Sequence, residues 1–187
     1  MINLQPTRHN FKHLGKDVTI YDAKLIYPEN ISIGDSSIIA DYCFLYASGK
    51  GIEIGNFCNI TQHCILQSGG LLKLSDFVGL GPRTTIMAAT DDYLGDGFIG
   101  NKVFGDKYRI TTFKDTIIGR HARIGLGCMI LPGVTIGEGC SIGAGSLVLE
   151  DMPSWTLCYG SPCKPIKLKN SEIILRMEKE FLKEYYG

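Results

Sequence analysis

The sequence predicts an all-β solenoid: short strands wound into stacked triangular coils, with one loop thrown out of a coil and a helix after the last. Three observations predict it. Aliphatic residues recur every six positions, the recurrence breaks once over about 87–115, and an amphipathic segment follows the final repeat.

The recurrence runs through Ile33, Ile39 and Leu45, then Ile54, Ile60 and Leu66, then Leu74, Leu80 and Ile86. It returns as Ile118, Ile124, Ile130, Ile136, Ile142 and Val148. Two residues before such positions stand Cys43, Cys58, Cys64, Val78, Thr84, Ala122, Cys128, Val134, Cys140 and Ser146, all small or β-branched. A six-residue period is a short flat strand plus a corner, and three such units close one coil. The aliphatic residue fills the interior and the small residue a crowded inward position. The glycine after it, as in Ile124-Gly125 and Ile142-Gly143, is expected to supply the corner conformation. Ile33 to Ile54 is 21 steps and Ile118 to Ile136 is 18, so the early coils carry extra corner residues. A sandwich would show a period of two instead.

The loop begins within "IMAATDDYLGDG", Ile86 to Gly97, which sets two aspartates, Asp91 and Asp92, where the pattern stops. Beyond the coils, "NSEIILRMEKEFLKEYYG" offers Asn170 or Ser171 as a cap. Its apolar residues Ile173, Ile174, Met177, Phe181 and Leu182 have helical spacing, which predicts a helix over 170–186 that covers an end or side of the solenoid.

A chain of 187 residues with 44% hydrophobic and 20% charged content suits one domain over 1–187, with the repeats at about 18–153. Lysine plus arginine and aspartate plus glutamate both number 19, so no basic field attracts nucleic acid or an anionic membrane. The N-terminus lacks an apolar signal core and no run of about 18 apolar residues occurs, which predicts a soluble cytoplasmic protein without membrane insertion. Of the 7 cysteines none forms a CxxC pair, and the small-residue positions account for five of them. His9 and His13 precede the repeats, while His63 and His121 stand at outward corners, so no histidine cluster predicts a metal.

The stretch "IIGRHARIGLGCMILPGVTIGEGCSIGAGSLVLEDMPSWTLCYGSPCKPIK", Ile117 to Lys167, resembles the hexapeptide-repeat acyltransferases, which include maltose, galactoside and serine acetyltransferases. The resemblance extends over roughly 18–168. It implies a left-handed parallel β-helix, an exception to the usual right-handed crossover. It also implies acetyl-CoA or another acyl-CoA as cosubstrate, no metal, and a homotrimer with sites between neighbouring subunits.

In the sugar acetyltransferases of this family a catalytic histidine falls five residues after the aliphatic position that Ile86 occupies. Here that residue is Asp91. The segment "TDDY" resembles a branch that acylates amino groups of nucleotide-linked deoxysugars. That implies a catalytic role for Asp91, with Asp92 as a second candidate. The chemistry agrees: a carboxylate with pKa about 4 is a weak base for a hydroxyl, whereas an amine with pKa roughly 8 is partly neutral at pH 7 and needs placement more than activation. Burial between subunits is expected to raise the Asp91 pKa. The plain alternative for an aspartate pair near Gly95 and Gly97 is loop punctuation. His63 and His121 remain candidate proton-transfer residues.

The resemblance places pantetheine against the backbone of Leu126 and, one coil later, Ala144. It matches the basic residues of the family's closing motif to Lys164 and Lys167, suited to nucleotide phosphates as point charges. The family's Thr-Lys pair after the last coil is Leu149-Glu150 here, a departure that removes a cation. The expected activity is acyl transfer to the amine of a nucleotide-linked amino sugar for surface polysaccharide. Sugar O-acetylation and a noncatalytic β-helical scaffold are the alternatives, and a scaffold requires neither the insert nor the basic closing motif.

Overall fold

The computed structural model describes residues 10–187. The chain winds into a parallel β-solenoid of about seven turns with a C-terminal helix, consistent with the left-handed β-helix expected. Its strands form three long sheets, one per side of the coil, and a separate two-stranded ribbon.

The aliphatic columns are in register. On the first sheet Ile33 pairs with Ile54, Ile54 with Leu74, Leu74 with Ile118 and Ile118 with Ile136. On the second, Ile39, Ile60, Leu80, Ile124 and Ile142 stack in the same way, and on the third Leu45, Leu66, Ile86, Ile130 and Val148. Each of these residues is buried. Burying each such side chain contributes about 1.5–3 kcal/mol relative to exposure, so the interior column is the main stabilising element. The cysteines share that interior, since all seven are buried and unpaired.

The corners work differently from the sequence expectation. The left-handed backbone falls three residues after the aliphatic position, not at the glycine that follows it: Phe57, His63, Phe77, Arg83 and His121 have φ of 57° to 61°. In the later coils Gly127, Gly139 and Gly145 take that place with φ of 63° to 69°. The glycine directly after the aliphatic residue is needed for space. A Cβ on Gly125 would lie 2.6 Å from the Ala144 nitrogen of the next coil, and one on Gly119 2.7 Å from the Glu138 nitrogen.

The excursion leaves the coil after the strand Thr85–Met87 and rejoins at the strand Thr116–Ile118, as expected from the break at about 87–115. Its stem is an antiparallel ribbon in which Ala89–Asp91 pairs with Thr111–Phe113, Asp91 opposite Thr111. Two short helical turns, Lys102–Phe104 and Gly105–Tyr108, form part of its outer portion.

After the last coil, Thr156–Gly160 continues the second sheet and Cys163–Leu168 folds back antiparallel on it. The C-terminal helix Glu172–Tyr186 begins with the Asn170 side chain accepting from the Glu172 N–H at 2.7 Å. It covers the corner between the first two sheets. Phe181 packs edge-on to Phe57 and Phe77, Tyr185 meets Phe57, and Glu178 reaches Arg120 and His121. Ile173 and Met177, expected on the packing face, are exposed.

Candidate active site

The stem of the excursion stands over the outer face of the third sheet. Between them lies a cleft of about 640 Å³, walled by Phe44, Tyr46 and Gln67 of the sheet and Asp91, Arg109 and Phe113 of the excursion. Alternation along the third-sheet strands produces this wall: Leu45 and Leu66 point inward, so Phe44, Tyr46 and Gln67 point out.

Asp91 ends the first strand of the stem and is partly buried. Its Oδ1 accepts from Arg109 Nη2 at 2.8 Å and the Thr111 hydroxyl at 2.7 Å. Its Oδ2 accepts from the Gly100 N–H at 2.7 Å and Arg109 Nε at 3.3 Å. Arg109 and then Thr111 hold the carboxyl below the usual carboxylate range, and their effect exceeds that of burial. Within the single chain the shift is downward, because the strand pairing that presents Asp91 to the cleft also brings a guanidinium against it. An ionised carboxylate here can orient an N–H donor but is a poor proton acceptor.

Asp92 points elsewhere. Its oxygens accept from the backbone N–H groups of Leu94, Gly95 and Asp96 at 3.0, 2.9 and 2.7 Å, and these bonds, that of Leu94 first, lower its pKa. This is the loop-punctuation geometry that the sequence also allowed.

The two histidine candidates separate. His63 is exposed on its corner and stacks on Tyr42 with ring centroids 5.1 Å apart. His121 is only 8% exposed, beneath the C-terminal helix, with Nε2 donating to Glu178 at 3.0 Å and its ring stacked on Phe77. Burial, with the charge of Arg120, pushes its pKa down. At His121, unlike His63, the outward corner is therefore covered, and neither histidine lines the cleft. His9 lies outside the described residues.

Leu126 and Ala144 are exposed on successive coils, at the corner leading from the second sheet to the third, and the Leu126 carbonyl accepts from the Gly145 N–H at 2.8 Å. Lys164 and Lys167 project from the last strand, Cys163–Leu168, where both are exposed. Lys164 lies 3.4 Å from Glu150, the acidic residue at the family's Thr-Lys position. Among the described residues no group of His, Cys, Asp and Glu could hold a metal, and no helix is long and apolar enough to cross a membrane.

Sequence reasoning did not identify Arg109, Thr111 or Lys102, which also line the cleft. A signal was present: "ITTF", Ile110 to Phe113, is a β-branched run placed to pair with "AATD", Ala88 to Asp91.

Comparison with known proteins fits this architecture. Residues 115–150 match the family model of the bacterial transferase hexapeptide (six repeats). The chain is 33% identical over 179 residues to the dTDP-4-amino-4,6-dideoxy-D-glucose acyltransferase of Escherichia coli, covering 95% of this chain and 92% of that one. A crystal structure of AntD, an N-acyltransferase from Bacillus cereus in complex with dTDP and 3-hydroxybutyryl-CoA, superposes with a TM-score of 0.86 at 32% identity, over 95% of this chain and 93% of that one. Likeness to the galactoside O-acetyltransferase of Lactococcus lactis, 30% identical, spans 70% of this chain and 59% of that one. The stacked six-residue coils, the excursion after Ile86 and the near full-length likeness to the Escherichia coli enzyme together show that the chain belongs to the hexapeptide-repeat acyltransferase family.

Proposed function

We propose that the protein transfers a short acyl group from coenzyme A to the amino group of a nucleotide-linked amino sugar, with dTDP as the nucleotide. The observation that carries this reading is a cleft centred on an ionised carboxylate, Asp91, with no imidazole in its lining among the described residues. A sugar hydroxyl would need a base poised near the working pH. A neutral amine attacks the thioester unaided once it is positioned, so such a cleft fits an amine. The likeness to the Escherichia coli sugar-amine enzyme and to AntD supports the same acceptor class.

In this account the sugar N–H donates to Asp91, displacing the Arg109 Nε contact, the longest of the four at 3.3 Å. The nitrogen lone pair forms the C–N bond, the C–S bond breaks, and the nitrogen's proton passes to the departing sulfur. Leu126 and Ala144 hold the pantetheine arm by their backbones, and Lys164 and Lys167 face the coenzyme phosphates. Asp92 shapes the loop. The enzyme works as a homotrimer in the cytoplasm, with the neighbouring subunit completing the site, and its product serves surface polysaccharide.

The test is a panel of nucleotide-linked amino sugars and their hydroxy counterparts, incubated with acetyl-CoA and longer acyl-CoAs and read by mass spectrometry. Amide products are expected from the dTDP-linked amino sugars. Exclusive ester formation would refute the reading. Light scattering is expected to report a trimer, and a fully active monomer would remove the intersubunit site.

A further inference from the structure

The cleft holds more fixed positive than negative charge. Among the described residues its ionisable lining is Asp91, Lys102, Arg109, Tyr46 and Tyr93: one carboxylate against two cations. Asp92 does not line the cleft, and its oxygens are turned to the backbone of Leu94, Gly95 and Asp96. The one carboxylate is already matched, since its oxygens accept four hydrogen bonds, two of them from the Arg109 guanidinium.

We infer that Arg109 sets the charge state of the acceptor: by pairing with Asp91 it makes the cleft admit the sugar as a neutral amine and reject its ammonium form. This rests on the amino-sugar reading above. An ammonium group beside Asp91 would be a third cation facing one carboxylate that Arg109 already pairs. A neutral amine carries no such penalty and keeps the lone pair that attacks. The same fixed charge is favourable for the anionic diphosphate of the nucleotide-linked sugar. Arg109 is thus a positioning residue for Asp91 and a selector of the reactive protonation state. The covalent step stays balanced: amine and thioester become amide and thiol, and the proton lost on binding goes to the buffer before chemistry begins.

Binding should therefore release a proton. An amine with pKa roughly 8 is about nine-tenths protonated at pH 7, so calorimetric titration with dTDP-4-amino-4,6-dideoxyglucose in buffers of different ionisation enthalpy should report about 0.9 proton released per site. The matching hydroxy sugar should release none. Arg109→Lys, which keeps the positive charge, should retain the release. Arg109→Gln should lower it and move the acid limb of the kcat profile up by about one pH unit. Should Arg109→Gln fail to fold, the wild type and Arg109→Lys carry the test. Binding without proton release, or an unchanged kcat profile in Arg109→Gln, overturns this inference alone. No binding of the amino sugar overturns the acceptor assignment as well.

Discussion

His121, at an outward corner of the solenoid, donates from Nε2 to Glu178 of the C-terminal helix at 3.0 Å, a contact between residues 57 positions apart. Arg120 pairs with the same carboxylate, so Glu178 is the buried centre of a three-residue clasp. The clasp fixes the helix on the corner between the first and second sheets, whereas the cleft lies on the third.

A pH dependence follows. Burial and the Arg120 charge lower the His121 pKa in the folded protein, so the fold holds the imidazole neutral. Stability from this group is present above the unfolded-state pKa of about 6.5 and is lost as pH falls below it, because the unfolded chain takes up the proton first. Thermal unfolding between pH 7.5 and 5.5 should show a steeper fall in Tm for the wild type than for His121→Asn, a substitution that tolerates the left-handed backbone. At pH 7.5 kcat of that variant should stay within about twofold of the wild type, since the imidazole is remote from the chemistry.

Gly125 and Gly127 separate the two uses of glycine. Gly125→Ala places a Cβ 2.6 Å from the Ala144 nitrogen and should cost on the order of 2–4 kcal/mol by forcing the coils apart. Gly127 has φ of 65° and open space around it, so Gly127→Ala should cost only about 1 kcal/mol. Denaturant midpoints of the two variants check the order.

The exposed lysines of the last strand test the coenzyme side. Lys164→Ala combined with Lys167→Ala should raise KM for acyl-CoA by roughly tenfold and change KM for the sugar nucleotide by less than about twofold. Glu150→Gln frees Lys164 from its 3.4 Å partner and should lower KM for acyl-CoA, by about twofold at most because the pair is exposed. Equal changes in both KM values for the double variant would mean general destabilisation.

Asp91→Asn keeps the size of the side chain and removes its charge. We expect kcat to fall on the order of 100-fold because the amine loses its orienting carboxylate, with Tm nearly unchanged because Asp91 lies outside the stacked coils. Full activity in this variant would return His63 to consideration.

The solenoid was legible because its core is periodic. Ile54, Leu74 and Ile118 announce one column by spacing alone, and the 44-residue step from Leu74 to Ile118 marks the excursion. What periodicity could not reveal was contact between distant, non-repeating residues. The Glu178 clasp and the Arg109 grip on Asp91 join positions whose separation carries no pattern, so burial of His121 ran against expectation and the Arg109 pairing was not foreseen. The glycine role was misread for another reason: position in the repeat identifies a required glycine but does not say whether conformation or space requires it. Asp91 was found through family resemblance, while its partners depended on the pairing of the stem.

The central claim is that the cleft around Asp91 serves an amine. Competition between dTDP-4-amino-4,6-dideoxyglucose and the same sugar nucleotide with a hydroxyl in place of the amine, at equal concentration with limiting acetyl-CoA, tests it most directly. Mass spectrometry should find the acyl group almost wholly on nitrogen in the wild type. Faster acylation of the hydroxy sugar would contradict the account.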